Sequence, residues 1–151
     1  KSSTSSGTVI IDDAIGAPKW PAGLTKESFE EMSTLLRRRL KETAQYGDLG
    51  DDIIVQGGRA AGKTSGDIDI GIRVSAEKFN ELIEARLKTL TPGSDTWKTL
   101  MMAKERGRIH AGEIGISGVR KEIQRLLGIE TDLSVILKGG PFDNPPFIPV
   151  N

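Results

Sequence analysis

Two aspartates separated by one residue open the stretch Asp67–Val74, DIDIGIRV. Its strict alternation predicts a β-strand, in which Asp67 and Asp69 point to the same face. Two like charges this close are unfavourable without a cation between them, and they are costly as decoration on a half-buried strand. Carboxylate oxygens suit Mg²⁺ or Mn²⁺, which also bridge nucleotide phosphates. The pattern predicts a divalent metal site, and an exposed edge strand with solvated aspartates is the alternative.

A glycine-rich loop, GGRAAGKTSG, precedes this strand. Its backbone amides and Arg59 could face a phosphate tail. Residues 57–64 also match the P-loop string GxxxxGK[ST], which indicates an ATP or GTP hydrolase when the Lys-Thr pair opens a helix. Here only Ser65 and Gly66 separate that pair from the strand, which leaves no room for the helix. A P-loop NTPase is therefore kept only as an alternative function.

The segments IIVQGGR and GDIDIGI together resemble the signature of the DNA polymerase β-type nucleotidyltransferase superfamily. That signature is a hydrophobic residue, Gly, Gly or Ser, a spacer, and then Asp-hydrophobic-Asp. The family takes a third carboxylate from a later strand, and Asp132 in ETDLSVIL matches that position. Three longer segments, at residues 59–83, 111–123 and 132–150, look like the nucleotidyltransferase toxin domains found at the C-termini of bacterial polymorphic and contact-dependent inhibition toxins.

The resemblance implies a metal-dependent transfer of an NMP from an NTP to a hydroxyl acceptor. Asp67, Asp69 and Asp132 would bind Mg²⁺ or Mn²⁺, and Asp132 could take the acceptor's proton. The triphosphate would meet five residues of the loop, which are Gly57, Gly58, Arg59, Lys63 and Ser65. For Lys63, a solvated loop lysine is an equal alternative.

As a toxin, the domain would modify tRNA or protein in the cytoplasm of a target cell after secretion or cell-surface delivery. A cognate immunity protein would be its partner. Transfer to a small molecule such as an antibiotic is a second alternative within this class. A non-catalytic module with an acidic surface strand is a third.

The composition excludes much other chemistry. The 151 residues hold no cysteine and one histidine, and 21 basic residues balance 21 acidic ones. Thiol catalysis, disulfides and multi-histidine zinc sites are excluded, and a bulk electrostatic nucleic-acid binder is disfavoured. No apolar run is long enough for a membrane span. The missing initiator Met and the Ser/Thr-rich start lead us to expect a piece from the C-terminal end of a longer protein, with an expression scar as the alternative.

Strands that alternate with helices predict an α+β (mixed α/β) domain, a small nucleotidyltransferase-like sheet flanked by helices. We expect a linker-like arm at residues 1–24 and the domain at residues 25–151. Predicted helices cover residues 26–46, 76–90, 95–106 and 118–127, with Thr25, Ser75 and Ser117 as caps. Predicted strands cover residues 8–11, 52–56, 67–74 and 130–137. The proline-rich end is expected to be irregular.

Several residues keep open roles at this level. His110 and Glu113 are undecided between substrate contact and structure. Four basic residues could bind an acceptor's phosphates, although solvated helix charge is favoured: Arg106, Arg108, Arg120 and Lys121. Trp97, Met101 and Met102 are expected in the core, and Phe142 and Phe147 are expected to anchor the tail.

Overall fold

The computed structural model of the protein describes residues 19–43 and 52–150. Over these residues the chain forms four α-helices and a five-stranded mixed sheet, which confirms the expected α+β class. The predicted strand at residues 8–11 and the end of the first predicted helix, at residues 44–46, lie outside the described part. The elements are α1 Lys26–Glu42, β1 Ile53–Gln56, β2 Ile68–Val74, α2 Ala76–Leu87, α3 Asp95–Arg106, β3 Arg108–His110, a short 3-10 helix Ala111–Ile114, α4 Ser117–Leu127, β4 Thr131–Leu137 and β5 Ile148–Pro149.

The sheet has the strand order β3-β4-β2-β1-β5. Strand β2 lies at its centre, parallel to β4 and antiparallel to β1. The parallel pair is joined through α2, α3 and α4, because parallel neighbours need a long crossover. Strands β3 and β5 pair antiparallel at the two edges. This order places the starts of β2 and β4 side by side.

One face of the sheet is apolar and is covered by the helices. Ile68, Ile70 and Ile72 alternate along β2 and are fully buried. They share one core with the apolar stripes of the helices, including Leu36 and Ile123. Thr25 begins α1 with a capping box in which its side chain accepts from the backbone N–H of Ser28 at 3.0 Å. The caps at Thr25 and Ser75 and the alternation of β2 are thus confirmed.

The opposite face carries Asp69, Arg73 and Asp132, and we call it the polar face, although Ile54 and Ile136 are buried on it. It is crossed by the C-terminal segment, residues 138–147, which we call the strap. The Arg73 guanidinium donates to both carboxylate oxygens of Asp143, at 2.8 and 2.9 Å. The ring of Phe147 lies 4.9 Å from the same guanidinium. The strap then leads into β5, which pairs with β1. The two phenylalanines do anchor the tail, as expected, and they do so by stacking on arginines.

The sequence-based prediction missed two strands, misplaced two side chains of α3 and assigned a cap to Ser117, which is instead the first residue of α4 and forms no side-chain cap. Strand β3 has three residues, and β5 has two, of which one is a proline. Neither offers a measurable period, and Pro149 is tolerated because β5 is an edge strand. The prediction that Met101 and Met102 lie in the core is wrong, because they are 37% and 59% exposed.

Residues 21–24, assigned to the arm, pack against the body. Leu24 is buried, and the Ala22 N–H donates to the Arg59 carbonyl at 3.0 Å. Within the described ranges, no helix has the length and apolarity needed to cross a bilayer.

Candidate functional site

Two of the three predicted aspartates are direct neighbours in the sheet. Asp69 of β2 is in register with Asp132 of β4 across the parallel ladder. Because successive side chains alternate between faces, both carboxylates lie on the polar face, opposite the helices. Each side chain keeps 28% of its surface exposed. Asp67 lies exposed immediately before β2. The sheet therefore brings together the two residues that are far apart in the sequence.

Asp69 occupies an unfavourable place for a negative charge. Burial, followed by the charge of Asp132, raises its pKa from 3.8 to about 6. The charge of Asp67 acts in the same direction, whereas Arg108 and His110 oppose the shift. The Oδ1 atom of Asp69 is buried and has no hydrogen-bond partner. An ionised carboxylate with a buried, unpartnered oxygen calls for a positive ligand.

Arg108 supplies the positive charge that the site itself contains. Its guanidinium forms a very close ion pair with Asp132, and its Nη2 lies 4.0 Å from Oδ1 of Asp69. Its Nε donates to the hydroxyl of Ser134 at 3.3 Å. The ring of Phe142, from the strap, lies 5.0 Å from the guanidinium carbon. The sequence suggested Arg108 only as part of a basic surface, because a three-residue strand shows no readable pattern.

Beside Asp69, the Gly57-Gly58 pair directly follows β1, which ends at Gln56. Gly57 has φ +78°, a left-handed conformation that favours glycine, and the site of its missing Cβ lies 3.6 Å from the Asp69 carboxylate. Gln56, which pairs with Asp69 in the ladder, is buried, and its Oε1 has no hydrogen-bond partner. A cleft of about 180 Å³ is lined here by Gln56, Gly57, Asp69, Arg108, Phe142, Asn144 and Pro145. The sequence prediction did not include Gln56 or the strap residues.

The remainder of the glycine-rich loop corrects one prediction. Arg59 does not face outward toward a triphosphate, because it is 7% exposed. Its Nε donates to the Gly66 carbonyl and its Nη1 to the Ala22 carbonyl, both at 2.9 Å. Arg59 therefore has a structural role, because its two hydrogen bonds connect the loop to Gly66 and to the segment before α1. Lys63 and Ser65 are exposed on the loop, as phosphate contacts would require.

The loop does not have the geometry of a P-loop. Residues 57–63 form hydrogen-bonded turns, in one of which the Lys63 N–H donates to the Gly58 carbonyl at 2.9 Å. No helix starts at Lys63-Thr64, and the chain enters β2 at Ile68. The helix N-terminus that would hold phosphates in a P-loop is missing from this described segment.

The aspartates can be tested against the metal that the sequence implies. Across residues 19–43 and 52–150, no three acidic or histidine side chains gather closely enough to hold a metal ion as they stand. Asp69 and Asp132 nevertheless fit a divalent cation, because they adjoin one another and Oδ1 of Asp69 has no hydrogen-bond partner. Hard carboxylate oxygens are the ligands that Mg²⁺ and Mn²⁺ prefer. Mg²⁺ commonly takes one or two carboxylates and completes its shell with water and substrate phosphate.

The residues with open roles divide into two groups. His110 is exposed, and its Nδ1 lies 3.7 Å from Oδ1 of Asp132, so it borders the site. Glu113 is buried and accepts from the His110 N–H at 2.8 Å, which shapes the chain after β3. Arg120 donates to the Thr131 carbonyl at 3.3 Å and thereby ties α4 to the start of β4. Glu113 and Arg120 are thus structural supports.

Comparison with models of known protein families, with curated proteins and with solved structures finds no match to this chain.

Proposed function

We propose that this chain is a metal-dependent nucleotidyltransferase that moves an NMP from an NTP to a hydroxyl acceptor. The observation that carries the proposal is the register pair of Asp69 and Asp132, beside the Gly57-Gly58 turn. A like-charged pair with an unpartnered buried oxygen is expensive to maintain, and a cation-binding task accounts for that cost. The glycine turn leaves the space beside Asp69 open for a phosphate group.

The residues take distinct roles in this proposal. Asp69 and Asp132 hold Mg²⁺ or Mn²⁺, and Asp67 joins them when substrate is bound. When bound, the ions neutralise phosphate charge and lower the pKa of the acceptor hydroxyl. Gly57 and Gly58 admit the triphosphate, and Lys63 and Ser65 bind its outer oxygens.

The acceptor oxygen forms a bond to the α-phosphorus as the bond to the pyrophosphate oxygen breaks. We assign receipt of the acceptor's proton to Asp132, whose Oδ1 lies 3.7 Å from Nδ1 of the exposed His110 side chain. The geometry thus assigns positioning and charge neutralisation to the chain, which is the main contribution of proteins to phosphoryl transfer.

The biological setting of the proposal is a bacterial toxin effector domain. The likeness of three of its segments to toxin domains supports this setting. The acceptor is tRNA or a protein side chain in the cytoplasm of a target cell, after secretion or cell-surface delivery. A cognate immunity protein protects the producing cell.

The central experiment is transfer of label from each α-labelled NTP, with Mg²⁺ and total cell RNA or protein. Asp69→Asn and Asp132→Asn are expected to lose at least about a thousandfold in rate, or roughly 4 kcal/mol, because they lose charge that holds the cation. Glu105→Gln, an exposed position of α3, is the matched control and should keep full activity. Full activity in either aspartate variant would contradict the proposal.

The destination of the label separates the acceptors. Label in RNA supports the tRNA version, and label in protein supports the other. Labelled NDP without transferred label would instead indicate a nucleotide hydrolase. Expression of the wild-type chain should arrest growth of a host that lacks an immunity protein, and the Asp69→Asn chain should not.

A further inference from the structure

The Arg108 guanidinium is held by more contacts than are needed to neutralise the two aspartates. Its guanidinium contacts Asp132, stands 4.0 Å from the unpartnered oxygen of Asp69, and is also held by Ser134 and the Phe142 ring. The side chain is only 18% exposed. Strand β3 pairs Arg108 with Ile136 of β4, and the Arg108 side chain extends along β4 past Ser134 to Asp132. Four contacts from three elements fix one positive charge between two carboxylates.

That charge and a divalent cation compete for the same carboxylate. An oxygen of Asp132 that is engaged by a guanidinium cannot fully serve as a metal ligand. A positive charge 4.0 Å from Oδ1 of Asp69 also repels a cation that approaches this oxygen. Conversely, without Arg108 the two adjoining carboxylates would repel each other in the metal-free protein.

We propose that Arg108 is an internal counter-cation that occupies the carboxylate pair until a divalent cation displaces it. It is a positioning residue: it keeps Asp69 and Asp132 in place in the metal-free protein and sets the affinity of the site for metal. The Phe142 ring retains the displaced guanidinium through a cation–π contact, so the side chain stays beside the cleft. This inference rests on the proposed function, because it takes the two aspartates as the cation site.

The test measures binding of Mn²⁺ alone, by electron paramagnetic resonance and calorimetry, with no nucleotide and no acceptor. Arg108→Gln is expected to bind Mn²⁺ at least about tenfold more tightly than the wild type, about 1.4 kcal/mol. Arg108→Lys keeps the charge and should lie close to the wild type. A role confined to fold stability would not raise the affinity for metal.

Arg73→Gln is the matched control. Arg73 lies on the same polar face, stacks on Phe147 at 4.9 Å and pairs with Asp143 at 2.8 Å, and the substitution removes the same charge. Its Mn²⁺ affinity is expected to stay within about twofold of the wild type, about 0.4 kcal/mol. If both variants bound Mn²⁺ more tightly to the same extent, the loss of net positive charge alone would explain the effect, and the proposal would be overturned.

Asp69→Asn separates failure of this proposal from failure of the proposed function. If Asp69→Asn abolishes Mn²⁺ binding while Arg108→Gln binds as the wild type or more weakly, the Arg108 proposal is overturned and the cation site stands. If Asp69→Asn binds Mn²⁺ as well as the wild type, the cation site itself is overturned. Circular dichroism of each variant verifies that the fold is intact, and Arg108→Lys provides the comparison if Arg108→Gln does not fold.

Discussion

At the scale of single residues, the site is defined by the different surroundings of two similar carboxylates. Asp132 forms a close ion pair with Arg108, whereas Oδ1 of Asp69 is buried without a hydrogen-bond partner and lies 4.0 Å from the same guanidinium. The pKa of Asp69 rises to about 6 through burial and the charge of Asp132. The metal-free protein therefore carries a charge at Asp69 that its own fold disfavours, as is common where a ligand later supplies the balance.

This position predicts a dependence of stability on pH. Because the folded pKa of Asp69 exceeds 3.8, its contribution to stability is greatest below pH 3.8 and is lost as pH rises through about 6. Asp69→Asn should therefore be more stable than the metal-free wild type at pH 7, by on the order of 1–2 kcal/mol after allowance for solvent screening. Urea denaturation at several pH values in the presence of a chelator measures the difference.

The stability difference between Asp69→Asn and the wild type should shrink toward pH 4, where Asp69 is protonated in the folded wild type. Asp67→Asn, at an exposed position, is the control and should change stability by less than about 0.5 kcal/mol at every pH. A destabilised Asp69→Asn at pH 7 would mean that the carboxylate has a stabilising partner in the folded protein.

At the scale of elements, the glycine-rich loop divides its tasks between an inward and an outward side. Arg59 joins the loop to itself at Gly66 and to the segment before α1 at Ala22. Lys63 and Ser65 face solvent. The buried side of the loop is thus stabilised by Arg59, and its exposed side presents Lys63 and Ser65 to solvent.

Substitution of Arg59 should lower the stability of the protein, whereas substitution of Lys63 should lower its nucleotidyl transfer activity. Arg59→Gln should lower the free energy of unfolding by about 2 kcal/mol, because hydrogen bonds from a charged donor to the Gly66 and Ala22 carbonyls are lost. Lys63→Gln should leave stability within about 0.5 kcal/mol and lower nucleotidyl transfer through weaker nucleotide binding. Thermal denaturation and labelled-NTP transfer measure the two effects. An unchanged stability in Arg59→Gln would show that the guanidinium does not stabilise the loop.

At the scale of the whole molecule, the two faces of the sheet have different roles, since one packs against the helices and the other carries the candidate site. The helices bury one face in a common apolar core. The other face holds the carboxylates and is bordered by the strap, which Asp143 attaches to Arg73. The strap also contains Phe142, whose ring lies 5.0 Å from the Arg108 guanidinium and lines the cleft.

The contribution of Asp143, which attaches the strap, to stability should depend on pH in the direction opposite to that of Asp69. Hydrogen bonds from Arg73 hold the pKa of Asp143 below its ordinary value, so its stabilising contribution is present above pH 3.8 and is lost as pH falls. Asp143→Asn should cost about 2 kcal/mol at pH 7, since the Asp143 side chain is 5% exposed, and the cost should narrow below pH 4. Urea denaturation across pH measures it, and a constant cost at all pH values would contradict the ion-pair explanation.

The local patterns of the sequence determined the principal helices, the alternating strand β2 and the caps at Thr25 and Ser75, because those signals come from neighbouring residues. The sequence also indicated Asp69 and Asp132 as site residues through their types and a family resemblance. Only the tertiary structure decided that these two aspartates are register partners, that Arg108 stands between them, and that Arg59 faces inward. Those facts depend on strand order and on the strap. Pairing between distant segments sets them, and the two short edge strands carry no periodic signal of their own.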